Sequence, residues 1–175
     1  MSLNLLHFAI CTQYKGTEDL LNYFKDDILK GCLSQTLNLG LTVEECLTGA
    51  FSIHQASPKY EIRHLDYQGM NLLHLAIIFH PDIVRSLLSF LESFDKSRKE
   101  KLTGLMINQQ TDITKKTALH LAMESSCKPR DRVELVRMLV QHGADPNYQN
   151  EWKEVPLHLP DLPGIVDILT SDLDK

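Results

Sequence analysis

The chain has 175 residues, 43% of them hydrophobic, and a net charge of −5. That is enough chain for one domain with a sizeable core, and too much apolar content for wholesale disorder. The charge is too mild to steer the whole molecule towards nucleic acid or a membrane surface. No apolar run approaches the roughly 20 residues of a membrane helix, and the start, Met1-Ser2-Leu3-Asn4-Leu5-Leu6-His7, lacks the basic lead of a signal peptide.

A first short helix is predicted from position 4, filled by Leu5, Leu6, Phe8, Ala9 and Ile10. Lys15-Gly16-Thr17 turns the chain, and the Thr17 hydroxyl can accept from an unpaired N–H at the start of a second helix. Leu20, Leu21, Phe24 and Ile28 then recur at helical spacing. Glu18 and Asp19 sit in the first turn, where the helix dipole favours acids. In 31–57, Thr42 can cap a helix from 43 to about 54, Glu45 completes a capping box, and Leu47, Ala50, Phe51 and His54 form its inner stripe.

Asp66-Tyr67-Gln68-Gly69 is a turn, followed by a helix from 72 to about 79. His80-Pro81-Asp82 ends that helix, because proline has no N–H to continue the ladder. Asp82 is expected to cap a second helix with Ile83, Leu87, Leu88 and Leu91 on one face. Roughly a dozen surplus residues, 94 to about 105, follow and carry Lys96, Arg98, Lys99 and Lys101. Met106-Ile107-Asn108 closes this unit. The next begins at Thr117, with a turn-rich connection, Ser125-Ser126-Cys127-Lys128-Pro129-Arg130, before a second helix containing Val133-Glu134-Leu135-Val136. Gly143 supplies a left-handed helix end that a Cβ disfavours. Pro160 and Pro163 leave room for only a very short helix after Leu157-His158, and Gly164-Ile165-Val166-Asp167-Ile168-Leu169 reads as a last one.

Leu-His recurs at Leu6-His7, Leu73-His74, Leu119-His120 and Leu157-His158, with histidine spacings of 67, 46 and 38. The fullest copy is Thr117-Ala118-Leu119-His120-Leu121-Ala122, followed by Gly143-Ala144-Asp145-Pro146-Asn147. A T-x-L-H-x-A start with a G-A-D-x-N finish resembles the ankyrin-repeat family. The resemblance implies an all-α solenoid of about 4–5 helix-turn-helix repeats, some degenerate, with enlarged connections. It would form one domain over 1–175, with repeats near 4–36, 66–110 and 112–148, a degenerate helical unit at 37–65 and a partial C-terminal unit at 149–175. The first spacing is near twice the family period of about 33, which places a degraded unit between. Both surpluses fall in connections, where doubling a loop costs only about 0.6 kcal/mol. The short acidic last unit fits a C-terminal cap, and equally a chain cut there.

The recurring histidines invite a metal or catalytic reading. Equivalent residues of stacked repeats stand roughly 8–10 Å apart, whereas zinc ligands must meet within about 2 Å of one ion. The resemblance implies instead a structural role for His7, His74, His120 and His158, tying helix starts to neighbouring backbone. Cys11, Cys32, Cys46 and Cys127 are scattered without a C-x-x-C pair and read as reduced thiols. No nucleophile elbow and no phosphate-binding glycine loop occurs. Cys127 beside Lys128 could carry a lowered pKa, but an exposed loop thiol is the plainer reading. Asp26-Asp27 and Glu44-Glu45 read as solvated helix faces. No cofactor, no metal and no catalytic residue is expected. An enzyme using Cys32, Cys46 and His54 in the divergent 31–57 segment is the remote alternative.

The resemblance implies a non-catalytic module that binds a partner protein through its finger turns and first-helix face. Candidate contacts are Tyr67 and Met70 on the third finger, Lys115 and Lys116 on the fourth, and Tyr148, Trp152 and Lys153 on the fifth. Phe79, with Ile78, Glu124 and Ser125, adds a second group on the first helices. Trp152 is the only tryptophan, in a turn that needs no core residue, and tryptophan and tyrosine are enriched at hot spots. It could equally lie flat on the neighbouring finger. Lys96, Arg98, Lys99, Lys101, Lys128, Arg130 and Arg132 could form a basic patch for an acidic partner, or lie on a solvated, mobile loop. A monomer is expected, without nucleic-acid binding or a membrane segment, in cytoplasm or nucleus. The Leu-Leu-His-Leu-Ala-Ile-Ile opening is similar to the NF-κB-inhibitor family. The irregular period resembles ankyrin proteins of viruses or host-targeting bacterial effectors, for which the host cytosol is the expected location.

Overall fold

The structure is a computed structural model that describes residues 15–19, 69–92, 96–156 and 165. The unit expected at 37–65, and most of the first and last units, lie outside the described residues. Every element within them is helical: α1 (Leu72–Phe79), a 3-10 turn (Pro81–Ile83), α2 (Val84–Leu91), α3 (Lys96–Met106), α4 (Ala118–Glu124) and α5 (Pro129–Gln141). Among the described residues no helix is long and apolar enough to cross a membrane.

The short helices α1 and α4 form an inner layer, with α2 and α5 behind them. α1 packs on α4, α2 on α5, and each inner helix on its own outer partner. An inner helix touched on several sides must be apolar all round. Leu72 to Ile77 of α1 and Ala118 to Met123 of α4 are accordingly all buried, their histidines included. The outer helices are one-sided. Val84, Leu87, Leu88, Phe90 and Leu91 of α2 are buried, while Arg85 stays exposed and reaches Glu134 on α5 at 3.0 Å. Each fully buried Leu, Ile, Val, Phe or Met contributes about 1.5–3 kcal/mol of transfer free energy, so this core is the main source of cohesion.

The helix ends follow local chemistry. α1 stops at His80, whose N–H donates to Ala76 O at 2.8 Å, because Pro81 cannot continue the ladder. The expected Asp82 cap does not form. Residues Pro81–Ile83 make a 3-10 turn with His80 at its N-cap and no side-chain cap bond, since proline is itself pre-set for a helix start. The same residue type opens α5: Pro129 is in its first turn, so Pro129 and Arg130 belong to the helix and not to the connection. α5 ends at Gly143, φ 93°. Gly143 N donates to Val140 O and Ala144 N to Leu139 O, both at 3.0 Å, a Schellman closure.

The surplus stretch expected as a connection is largely a helix, α3. It is anchored by Leu102 and Met106, 3% and 1% exposed, and by Ile107 just beyond it. It also separates the expected basic patch. Lys99 binds Glu92 at 2.6 Å, and Glu92 meets His142 at the C-terminal end of α5. Lys128, Arg130 and Arg132 stand at the other end of that helix, roughly 18 Å away at 1.5 Å per residue.

Candidate functional site: the finger turns

Among the described residues three finger turns reverse at a residue of positive φ, the first two of them two positions before a helix cap. Gly69 precedes Asn71 with φ 75°, Lys115 precedes Thr117 with φ 54°, and Lys153 precedes Val155 with φ 64°. The left-handed region favours glycine; the two later turns hold it with lysine.

The turns are closed by buried polar groups. In one, Thr111 N donates to Lys116 O at 3.0 Å and Lys116 N returns to Thr111 Oγ1 at 3.1 Å. In the next, Asn150 N donates to Glu154 O, while Asn150 Oδ1 accepts from Trp152 N and Glu154 N, all at 2.9 Å. Asn150 is 3% exposed, as expected of a polar group whose bonds are all internal. The two turns are joined: Glu151 N donates to Thr114 O at 3.0 Å, and Gln110 Nε2 donates to Lys115 O and Gln149 O at 2.7 and 2.8 Å.

The histidines hold the helices from beneath. His120 Nδ1 accepts from Thr117 N at 3.2 Å, so its proton sits on Nε2, which donates to Glu154 O at 3.1 Å. One ring therefore ties the start of α4 to the base of the next finger. His74 repeats the first half: Nδ1 accepts from Asn71 N, and Asn71 Oδ1 accepts from His74 N, both at 3.1 Å. Its Nε2 makes no hydrogen bond. Burial drives the His74 pKa down to about 4. Burial also lowers that of His120, with the Glu154 backbone opposing. His7 and His158 lie outside the described residues. Among the described residues no three His, Cys, Asp or Glu groups gather as metal ligands would.

The expected contact residues divide by exposure. Trp152 is 57% exposed and Tyr148 38%; Lys115 and Lys153 are exposed at the reversals. Lys116 is largely occupied. Its Nζ binds Glu124 Oε2 at 2.6 Å and lies 5.5 Å from the Trp152 ring centroid. Trp152 thus both leans on the neighbouring finger and presents a surface. Phe79 and Ile78 are half-buried against the core. Met70, expected as a contact, is instead a core residue at 1% exposure, because the chain after Gly69 already points inward towards α1. Tyr67 lies outside the described residues.

Ile113 stands outside the set of expected contacts. It is 53% exposed, one residue from Thr114, whose carbonyl accepts from the Trp152 finger. The signal was available in the sequence: a large apolar residue inside a turn that needs no core side chain. Leu105, 40% exposed at the end of α3, could not be found that way, since its segment was expected to be a connection. Cys127 is half-buried, not exposed. Its N–H donates to Ser125 Oγ and its carbonyl accepts from Arg132, so the Ser125–Lys128 connection shapes itself. The segment 31–57, with Cys32, Cys46 and His54, lies outside the described residues.

A repeated frame of helix cap, ring histidine and finger is therefore on view in consecutive units. A family model described as ankyrin repeats in three copies matches residues 46–150, more than half of the chain. A search of curated proteins gives no match. Among solved structures, the crystal structure of the ankyrin repeat domain of Bcl-3, titled a unique member of the IkappaB protein family, is similar. The likeness covers 97% of this chain and 99% of that one, at 21% identity and a TM-score of 0.33, and at that level it bears on no functional question. The cap, histidine and finger geometry and the three-copy match lead to one statement: the chain belongs to the ankyrin-repeat family.

Proposed function

We propose that this chain is a non-catalytic module that grips a partner protein with its last described fingers. Ankyrin repeats are in general protein–protein interaction modules. The observation that carries the reading here is the exposure of Trp152 and Ile113, 57% and 53%, on two turns joined by a backbone hydrogen bond and by the Gln110 side chain. A large side chain exposed at a rigid turn loses little conformational entropy on binding, which suits an anchor. Tyr148, Lys115 and Lys153 flank these anchors and would read the partner's polar groups, with Lys116 beneath. Phe79, on the inner helix layer, would contribute from the adjoining face.

The test uses the intact chain as bait in cell lysate, in parallel with a Trp152→Ala/Tyr148→Ala double variant. Partners retained by the wild type should be lost or weakened by about tenfold or more, the usual size of a hot-spot loss. The far-UV circular dichroism should be unchanged, because neither side chain is in the core. Undiminished capture by the double variant would remove the finger assignment.

A further inference from the structure

Trp152 is not simply exposed. It is held, and the group that holds it is itself held from a different element. Lys116 Nζ lies 5.5 Å from the Trp152 ring centroid, within the range of a cation–π attraction. The same Nζ is bound at 2.6 Å by Glu124 Oε2, and the Lys116 side chain is only 16% exposed. A lysine ordinarily keeps its strongly hydrated ammonium in water at the end of a flexible stem; here the Lys116 ammonium lies between a carboxylate at the end of α4 and an indole on the next finger. The backbone beneath the ring is fixed independently, by Trp152 N donating to Asn150 Oδ1 at 2.9 Å. The indole therefore has its root set by Asn150 and its plane set by Lys116.

We infer that Glu124 and Lys116 are positioning residues that pre-set Trp152 for its partner, so that a carboxylate on the inner helix tunes recognition at the finger. The inference rests on the reading of Trp152 as a partner contact. An anchor already in its bound orientation loses less freedom on association, and releasing one should weaken binding by about three- to tenfold. Glu124 needs no contact with the partner to have this effect.

Because the chain has a single tryptophan, its fluorescence reports on this ring alone and needs no partner. The full chain is compared with Glu124→Gln, Lys116→Met and Lys116→Arg. The first two should lower the steady-state anisotropy and raise the acrylamide quenching constant by about 1.5-fold or more. Lys116→Arg keeps a cation that stacks on the ring and pairs with Glu124, and should stay near the wild type. Equal anisotropy and quenching in Glu124→Gln and the wild type would overturn the hold. A hold that is present, with Glu124→Gln binding the captured partner as tightly as the wild type, would overturn its role in recognition. Failure of the finger reading looks different: Trp152→Ala would leave binding intact, while the fluorescence arm would still decide whether the hold exists.

Discussion

Gly69, Lys115 and Lys153 occupy one position of three consecutive fingers, and their surroundings set different tolerances. A Cβ on Gly69 would stand 2.5 Å from Asp112 Cγ and 2.6 Å from its backbone N. With a left-handed φ as well, Gly69→Ala should cost at least about 2 kcal/mol of unfolding free energy, read as a lowered urea midpoint. Lys115→Gly and Lys153→Gly relieve a strain of about 1–2 kcal/mol and lose about 0.5–1 to the flexibility of the unfolded chain. They should be neutral or slightly stabilising; a clear loss in either would mean that the lysine stem makes a stabilising contact. The buried histidines give a pH signature. His74 is held neutral down to about pH 4, whereas the unfolded chain takes up that proton near 6.5. The unfolded state binds more protons between these values, so stability is complete above about pH 6.5 and falls as pH falls, by roughly 3 kcal/mol at the limit. His120 adds a loss of the same sign. The urea midpoint should drop between pH 7 and pH 5, above the ordinary carboxylate range; a flat profile would contradict the burial of these rings. The scaffold role of these histidines follows from the family resemblance that the Leu-His copies carry, whereas Met70 lies in the core because one position decides whether a residue leaves the turn outward or inward.

At the level of elements, the legible helices were those whose apolar residues had to face something. α1, α2, α4 and α5 each carry a stripe or a fully apolar run, and sequence spacing found them. α3 was missed for a physical reason: only Leu102 and Met106 of its 11 residues are buried hydrophobics. With so little apolar area at stake, spacing has nothing to register, and a charged helix reads as a charged connection. Its stability must come from its own propensity and from Leu102, Met106 and the Lys99–Glu92 pair, a surface contact of small value. Gly104 lies inside this helix, and a Cβ there would meet nothing within 4 Å. Gly104→Ala should therefore stabilise the protein by roughly 0.5–1 kcal/mol. Chemical denaturation followed by circular dichroism checks this, and a destabilised variant would show that α3 is not helical at that position. The end of α1 at Phe79 is legible through Pro81, whereas Pro129, expected in the connection, opens α5, and the capping role expected of Asp82 goes to proline geometry.

On the scale of the whole molecule, a repeat array is as cooperative as the contacts between neighbouring units. Among the described residues, polar side chains tie successive segments to backbone groups further along the chain. Within the 66–110 unit, Asn71 Nδ2 donates to Leu105 O and Met106 O at 3.3 and 2.7 Å, tying α1 to the end of α3. One unit on, Asn108 Nδ2 donates to Gly143 O and Asn108 Oδ1 accepts from Asp145 N, both at 2.9 Å. His120 completes the series through Glu154 O. Asn108 is thus a strut between the turn that ends α3 and the turn that ends α5. Each hydrogen bond contributes about 0.5–1.5 kcal/mol net, so Asn108→Ala should cost about 2 kcal/mol, concentrated at one boundary. Trp152 fluorescence follows the last finger, and far-UV circular dichroism follows all the helices. In the wild type the two urea transitions should coincide. In Asn108→Ala the Trp152 transition should move to lower urea than the helical one, because the finger beyond the strut has lost the turn that leads into it as a fixed support and keeps the ties through Gln110, Glu151 and His120. If the two curves still coincide with an unshifted midpoint, the apolar contacts and the Gln110, Glu151 and His120 bonds hold the boundary, and the asparagine bonds add no coupling.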